Sequence, residues 1–181
     1  MRLGYTIAPG RGETNLLLAE IAGQLAARGV RIVGTVQIDT DRSDGHKCDM
    51  DVQVLPEGKI IRISQDLGTA SRGCRLNAEA LETAVADTEA ALVEGADLLL
   101  INKFGKHEAE GRGFRGVIAE ALARDIPVLA GVNKLNHVAF LDFCGEQAEE
   151  LPANTAALKT WLDEVLGTTD PDRQPGGVHS K

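Results

Sequence analysis

The chain has 181 residues, 43% hydrophobic and only 3% aromatic, enough for one domain whose core is mostly Leu, Val, Ile and Ala. Its 27 acidic and 19 basic residues give a net charge of −8, which argues against a general nucleic-acid or acidic-membrane surface. No apolar run approaches the roughly 20 residues that span a bilayer, and Pro9, Gly10 and Arg11 interrupt the opening too early for a secretory signal, so a soluble, cytoplasmic chain is expected.

Residues 3–7 are short and apolar, as a buried parallel strand requires. Leu16, Leu17, Ala19, Ile21, Ala22, Leu25 and Ala26 follow at helical spacing, and Arg28-Gly29 closes that helix with a cation and then a glycine. Residues 31–38 are rich in β-branched side chains and form a second strand. Residues 51–55 and 59–63 alternate around Pro56-Glu57-Gly58, which predicts a hairpin. Asn77 is placed to cap a helix reaching about residue 94. Residues 97–101 form a continuous apolar strand, and a glycine-rich loop over 102–113 leads to a helix over 114–124. A strand over 127–132, a short helix over 136–143 and a last helix over 154–166 complete the pattern. Residues 1–167 are expected to form one domain. The Pro/Gly-rich tail, 168–181, is expected to be disordered.

Helices alternating with buried strands predict an α/β three-layer sandwich, with a mostly parallel sheet, helices on both faces and a small antiparallel hairpin excursion. Ligands of such sheets bind beyond the carboxyl ends of the strands. The loops at 8–14, 102–113 and 133–136 are expected to gather there. The first of them reads Ile7-Ala8-Pro9-Gly10-Arg11-Gly12-Glu13-Thr14. A phosphate-binding loop reads G-x-x-x-x-G-K-[ST], its lysine reaching the terminal phosphates. Here Ile7 replaces the first glycine and Glu13 the lysine. An anion cradle is indicated, with a carboxylate where the phosphate-binding charge belongs.

Two stretches carry a family resemblance: Pro9-Gly10-Arg11-Gly12-Glu13-Thr14, and Leu98-Leu99-Leu100-Ile101-Asn102-Lys103-Phe104-Gly105-Lys106-His107-Glu108. Over about residues 2–132 the chain resembles the small nucleoside-triphosphatases of thermophile and cancer-associated type, a branch of the P-loop kinase-like proteins. The run 102–108, with Gly73-Cys74-Arg75-Leu76, also resembles a bacterial family of unknown function whose members are often named as molybdenum-transport associated. The first resemblance implies a P-loop fold and a nucleotide with Mg²⁺. It also implies roles that this chain has altered. Glu13 stands at the phosphate-binding lysine, Asn102 at the Mg²⁺-supporting aspartate and Lys103 at the water-orienting glutamate, while Thr14 is kept. Phosphoanhydride hydrolysis depends mainly on positioning and charge stabilisation, so these substitutions remove most of the apparatus. Glu13 and Lys103 form an exchanged pair expected to face one another. They either join in an ion pair that closes the loop, worth roughly 0–1 kcal/mol when exposed, or leave Lys103 to contact the anion from the opposite wall.

Gly111-Arg112-Gly113-Phe114-Arg115-Gly116 is a literal GxGxxG. It starts well after its strand and lacks the acidic partner of a dinucleotide fingerprint. It reads as a loop and helix start, or as an anion site where Arg112 and Arg115 flank helix N-terminal amides. Lys103, Lys106 and His107 add positive charge nearby. His46, Cys48 and Cys74, with Asp49 and Asp51, offer metal ligands without a known zinc spacing, and ordinary thiols are the default there. Cys144 is expected in core packing, and His107 and His137 in loops or on the surface. Neither G-x-S-x-G nor H-E-x-x-H occurs.

The leading expectation is therefore a degenerate nucleotide or oxyanion binder with little or no hydrolysis and a regulatory role. Its ligand-binding candidates are Gly10, Arg11, Gly12, Glu13, Thr14, Asn102, Lys103, Arg112 and Arg115. The second is an active nucleoside-triphosphatase with relocated charges, Glu108 orienting water. The third is a metal- or molybdate-handling protein using His46, Cys48 and Cys74. The expected partner is a small anion or nucleotide, and the apolar helix faces leave room for a homodimer.

Overall fold

A computed structural model describes residues 2–40, 49–66 and 75–167; His46, Cys48, Cys74 and the 168–181 tail lie outside them. The strands are β1 (Leu3–Thr6), β2 (Ile32–Thr40), β3 (Asp49–Leu55), β4 (Ile60–Arg62), β5 (Leu98–Phe104), β6 (Val128–Val132) and β7 (Ala148–Glu150). The helices are α1 (Glu13–Ala27), α2 (Ala78–Val93), α3 (Lys106–Ala109), α4 (Arg115–Ala123), α5 (His137–Cys144) and α6 (Thr155–Val165). The sheet order is β4-β3-β2-β5-β6-β1-β7. Every pair from β2 to β7 across β5, β6 and β1 is parallel, while β3 pairs antiparallel with β2 and β4. The mixed sheet with its antiparallel excursion is the architecture the pattern predicted.

The continuous apolar run of β5 follows from coverage on both faces. Leu98 and Leu100 pack with Leu18, Ile21 and Leu25 of α1 and Leu158 and Leu162 of α6. Leu99 and Ile101 pack with Leu81, Ala84 and Val85 of α2 and Val117 and Ile118 of α4. Burying a Leu or Ile side chain contributes about 1.5–3 kcal/mol, so a one-residue slip of β5 would misplace apolar groups on both faces. Two helix starts are fixed as the sequence indicates: the side chains of Asn77 and Asn154 accept from the amides of Ala80 and Ala157.

Three elements depart from expectation. β5 continues through Asn102, Lys103 and Phe104, and the shift in its pairing with β6 falls between Ile101 and Phe104. The predicted 102–113 loop is thus strand end, the single turn of α3, and a short connection. β7 is an edge strand of Ala148, Glu149 and Glu150 with no apolar alternation to betray it; it exists because β1 offers it a ladder.

Candidate functional site

β1 delivers the chain into the turn before α1. The Ala8 amide donates to Thr14 Oγ1 at 3.1 Å, and the Gly10 amide donates to Glu13 Oε2 at 2.9 Å. Gly12 takes φ 78°, a left-handed conformation that glycine adopts without steric cost. The Gly10 amide is thus taken by the chain's own exposed carboxylate. That corrects the expected Glu13–Lys103 ion pair: no such pair occurs among the described residues. A carboxylate three residues past an amide meets it locally, at less conformational cost than reaching across to β5.

Beside this turn lies a cleft of about 320 Å³ at the carboxyl ends of β1, β5 and β6. Its walls include Gly10, Arg11, Thr14, Asn102, Lys103 and Lys134. Arg11, Lys103 and Lys134 are exposed, and none is in an ion pair among the described residues. Lys134 was missed by the sequence reading, although a cation directly after the 127–132 strand was a usable signal.

Asn102 is 2% exposed and spends its amide on the fold. Its Oδ1 accepts from the Gln37 amide at 3.0 Å, and its Nδ2 donates to Asn15 Oδ1 at 2.9 Å. Asn15 and Gln37 in turn donate to the two oxygens of Asp39, each at 2.7 Å. The chain ties β5, β2 and α1 together. Mg²⁺ is held by carboxylates and phosphate oxygens, whereas the side chain at the magnesium place is a neutral amide with both ends engaged. Thr14 Oγ1 is likewise engaged by Ala8. The residues present do not fit a P-loop magnesium site. Asp39, the carboxylate at the end of this chain of amides, was not anticipated.

A second turn, from Gly105 to Phe114, holds the other candidates. Glu108 is 3% exposed; its Oε2 accepts from the Gly105 amide at 2.9 Å and its Oε1 from the Phe114 amide at 3.3 Å. Glu82 Oε1 lies 2.7 Å from His107 Nε2 and accepts from the Gly113 amide at 3.1 Å. The amides expected to attract an anion at the start of α4 are thus occupied by Glu82 and Glu108. Arg112 bonds Glu110, whose carboxyl that bond holds below its usual range. The Arg115 guanidinium lies 4.5 Å from the centre of the Phe143 ring. Neither arginine reaches the cleft, so the anion site proposed for them is corrected. Glu108 serves as a carboxylate tie for this turn, with both oxygens held by backbone amides.

His107 is buried, against the surface position expected. His137 Nε2 is 2.9 Å from Tyr5 Oη, which also donates to Glu150 at 3.2 Å, tying α5 and β7 to β1. Asp49 and Asp51 pair with Arg62. Among the described residues no cluster of three or more His, Cys, Asp or Glu is placed to hold a metal ion. Cys144 is half-buried beside the core, as expected, and burial pushes its thiol up to about 11. No helix among the described residues is long and apolar enough to cross a membrane.

The fold has solved counterparts. THEP1 from the hyperthermophile Aquifex aeolicus superposes with a TM-score of 0.62 at 17% identity, over 92% of this chain and 98% of that one. A human cancer-related nucleoside triphosphatase gives 0.60 at 18% identity, over 96% and 99%. At such identities the likeness shows a shared fold and nothing beyond it. In sequence, 151 residues are 36% identical to the molybdenum import ATP-binding protein ModC 2 of Bradyrhizobium diazoefficiens, covering 82% of this chain. The chain spans 17% of that protein's length. The family model described as "Protein of unknown function (DUF2478)" matches residues 4–161, and the chain belongs to that family.

Proposed function

We propose that this protein binds a nucleotide or another oxyanion in the cleft beside the first turn, and holds it without hydrolysis, as a sensor would. The observation that carries the reading is three exposed cations, Arg11, Lys103 and Lys134, gathered around one cleft of an acidic chain with no ion-pair partner among the described residues. Lys103 then supplies the anion contact from the wall opposite the turn. Absence of turnover is supported by Asn102, whose amide is committed to Gln37 and Asn15, and by Glu13, which replaces the phosphate-binding lysine.

Thermal denaturation with ATP, GTP, inorganic phosphate and molybdate, with and without Mg²⁺, tests this, because a ligand of the folded state raises the transition by mass action. The expected result is stabilisation by at least one anion, weakened in Lys103→Ala, with no release of phosphate from ATP or GTP. No shift with any of them at millimolar concentration sinks the reading. Steady phosphate release from ATP or GTP by the purified protein would establish hydrolysis instead. The name of the Bradyrhizobium relative favours, as a second reading, molybdate as the oxyanion. It would require a shift with molybdate that inorganic phosphate does not reproduce.

A further inference from the structure

A second cavity, of about 500 Å³, adjoins the cleft under the β3–β4 hairpin. The two share Arg11, Asn102, Lys103 and Asn133, so they meet along β5 and the turn after β6. Their walls differ in kind. The cleft is lined by backbone, amides and cations. The adjoining cavity is mostly apolar, walled by Met50, Val52, Ile63, Leu76, Leu81 and Phe114; Thr35 and Gln37 are polar points in its lining, which Arg75, Lys106, His107 and Glu108 also reach.

We infer that this hairpin cavity seats the organic body of the ligand, an aromatic or heteroaromatic ring carrying a phosphate, whose charged group lies against Lys103 and Arg11 in the cleft. The inference rests on the anion-binding reading above and narrows its substrate class. An inorganic oxyanion would make no use of six apolar side chains. A cavity in the size range of small-molecule sites, mostly apolar with a few convergent polar groups, matches a ring-bearing ligand. Cations at the shared border fix which end enters which chamber. Apolar area removed from water then adds to the charge contact, with no counterpart for a bare ion.

Calorimetric titration with inorganic phosphate, phenyl phosphate and adenosine 5′-monophosphate tests this. At least one organic phosphate is expected to bind roughly tenfold or more tighter than inorganic phosphate, the increment of one buried ring. Met50→Trp and Leu76→Trp, which fill the cavity, are expected to abolish that advantage while leaving inorganic phosphate unchanged. Lys103→Ala should weaken all three. The chain has one native tryptophan, Trp161, in the cluster on the opposite face of the sheet. Emission added by Met50→Trp therefore reports whether that variant folds with the cavity filled. Equal affinity for all three phosphates, or an advantage that survives both tryptophan variants, overturns the inference and leaves anion binding standing. Failure of all three to bind also overturns the inference, and the anion-binding reading then rests on the denaturation series with ATP, GTP and molybdate.

Discussion

Two turns of this molecule solve the same problem with opposite consequences. At 8–14 and at 105–114, a glutamate accepts from the backbone amides of its own segment, one in the first turn and two in the second. Glu13 is exposed and meets one amide, that of Gly10. Glu108 is 3% exposed and meets two, those of Gly105 and Phe114. An exposed carboxylate can be exchanged for another anion at little cost, because water solvates both the group that leaves and the amide it leaves behind. A buried one cannot, because removing it strands amides away from solvent. On the proposed reading, ligand exchange falls to the first turn and structure to the second, although the sequence offered basic residues near both.

The contrast breaks most visibly in stability. Glu108→Ala is expected to cost about 2–5 kcal/mol, from two stranded amides and the space left by the side chain. Glu13→Ala should cost less than about 1 kcal/mol. Urea unfolding of the two variants measures the difference, and equal costs would collapse the distinction. Gly113→Ala sharpens it. Gly113 sits at φ 59°, and a methyl there would lie 2.3 Å from Glu108 Oε1. The expected loss is about 2–4 kcal/mol, from backbone strain and a displaced carboxylate together.

In binding the order reverses. Glu13→Lys removes the internal competitor and restores the phosphate-binding charge, so inorganic phosphate affinity should rise about tenfold or more, roughly 1.4 kcal/mol. The same titration on Glu108→Gln should show little change if the variant folds. Anion affinity should also fall as salt rises, since Arg11, Lys103 and Lys134 are exposed and screened. Lys103→Ala should flatten that dependence.

The smallest expected effect lies away from both turns. Burial raises the Cys144 thiol from 9.0 to about 11. Burial and Glu150 also raise Tyr5. A group whose folded value is raised contributes stability that is fully present below its unfolded value and lost as pH climbs through the folded one. For Cys144 that contribution is present below pH 9 and disappears toward about 11. Alkylation of Cys144, followed by peptide mapping, should accelerate only toward the upper end of that window; fast labelling near neutrality would contradict the burial.

Much of the fold was legible because its signals are local and repeated. The apolar runs of β1, β5 and β6, the Asn77 and Asn154 caps and the Pro56-Glu57-Gly58 turn each state their element through spacing or side-chain chemistry. β7 was invisible, since Ala-Glu-Glu gains strand structure only from the neighbour that pairs with it. At the site, the family resemblance singled out Glu13, Asn102 and Lys103 as the altered positions. It did not give their partners. Glu13 turned inward to Gly10, Asn102 was absorbed by Gln37 and Asn15, and Arg112 and Arg115 were claimed by Glu110 and Phe143. Asp39 and Lys134 entered the site region from strand ends that spacing alone does not align.

The order of apolar and polar residues determined, without tertiary help, that this is a helix-covered sheet with its loops at the carboxyl edge. That pattern is set by periodicity, which each segment carries by itself. Which polar side chains are spent on one another was decided only when β2, β5 and α1 came together. A side chain's partner is whatever lies within about 3 Å once the chain is packed, and residues 15 and 102 meet 37 and 39 in space alone.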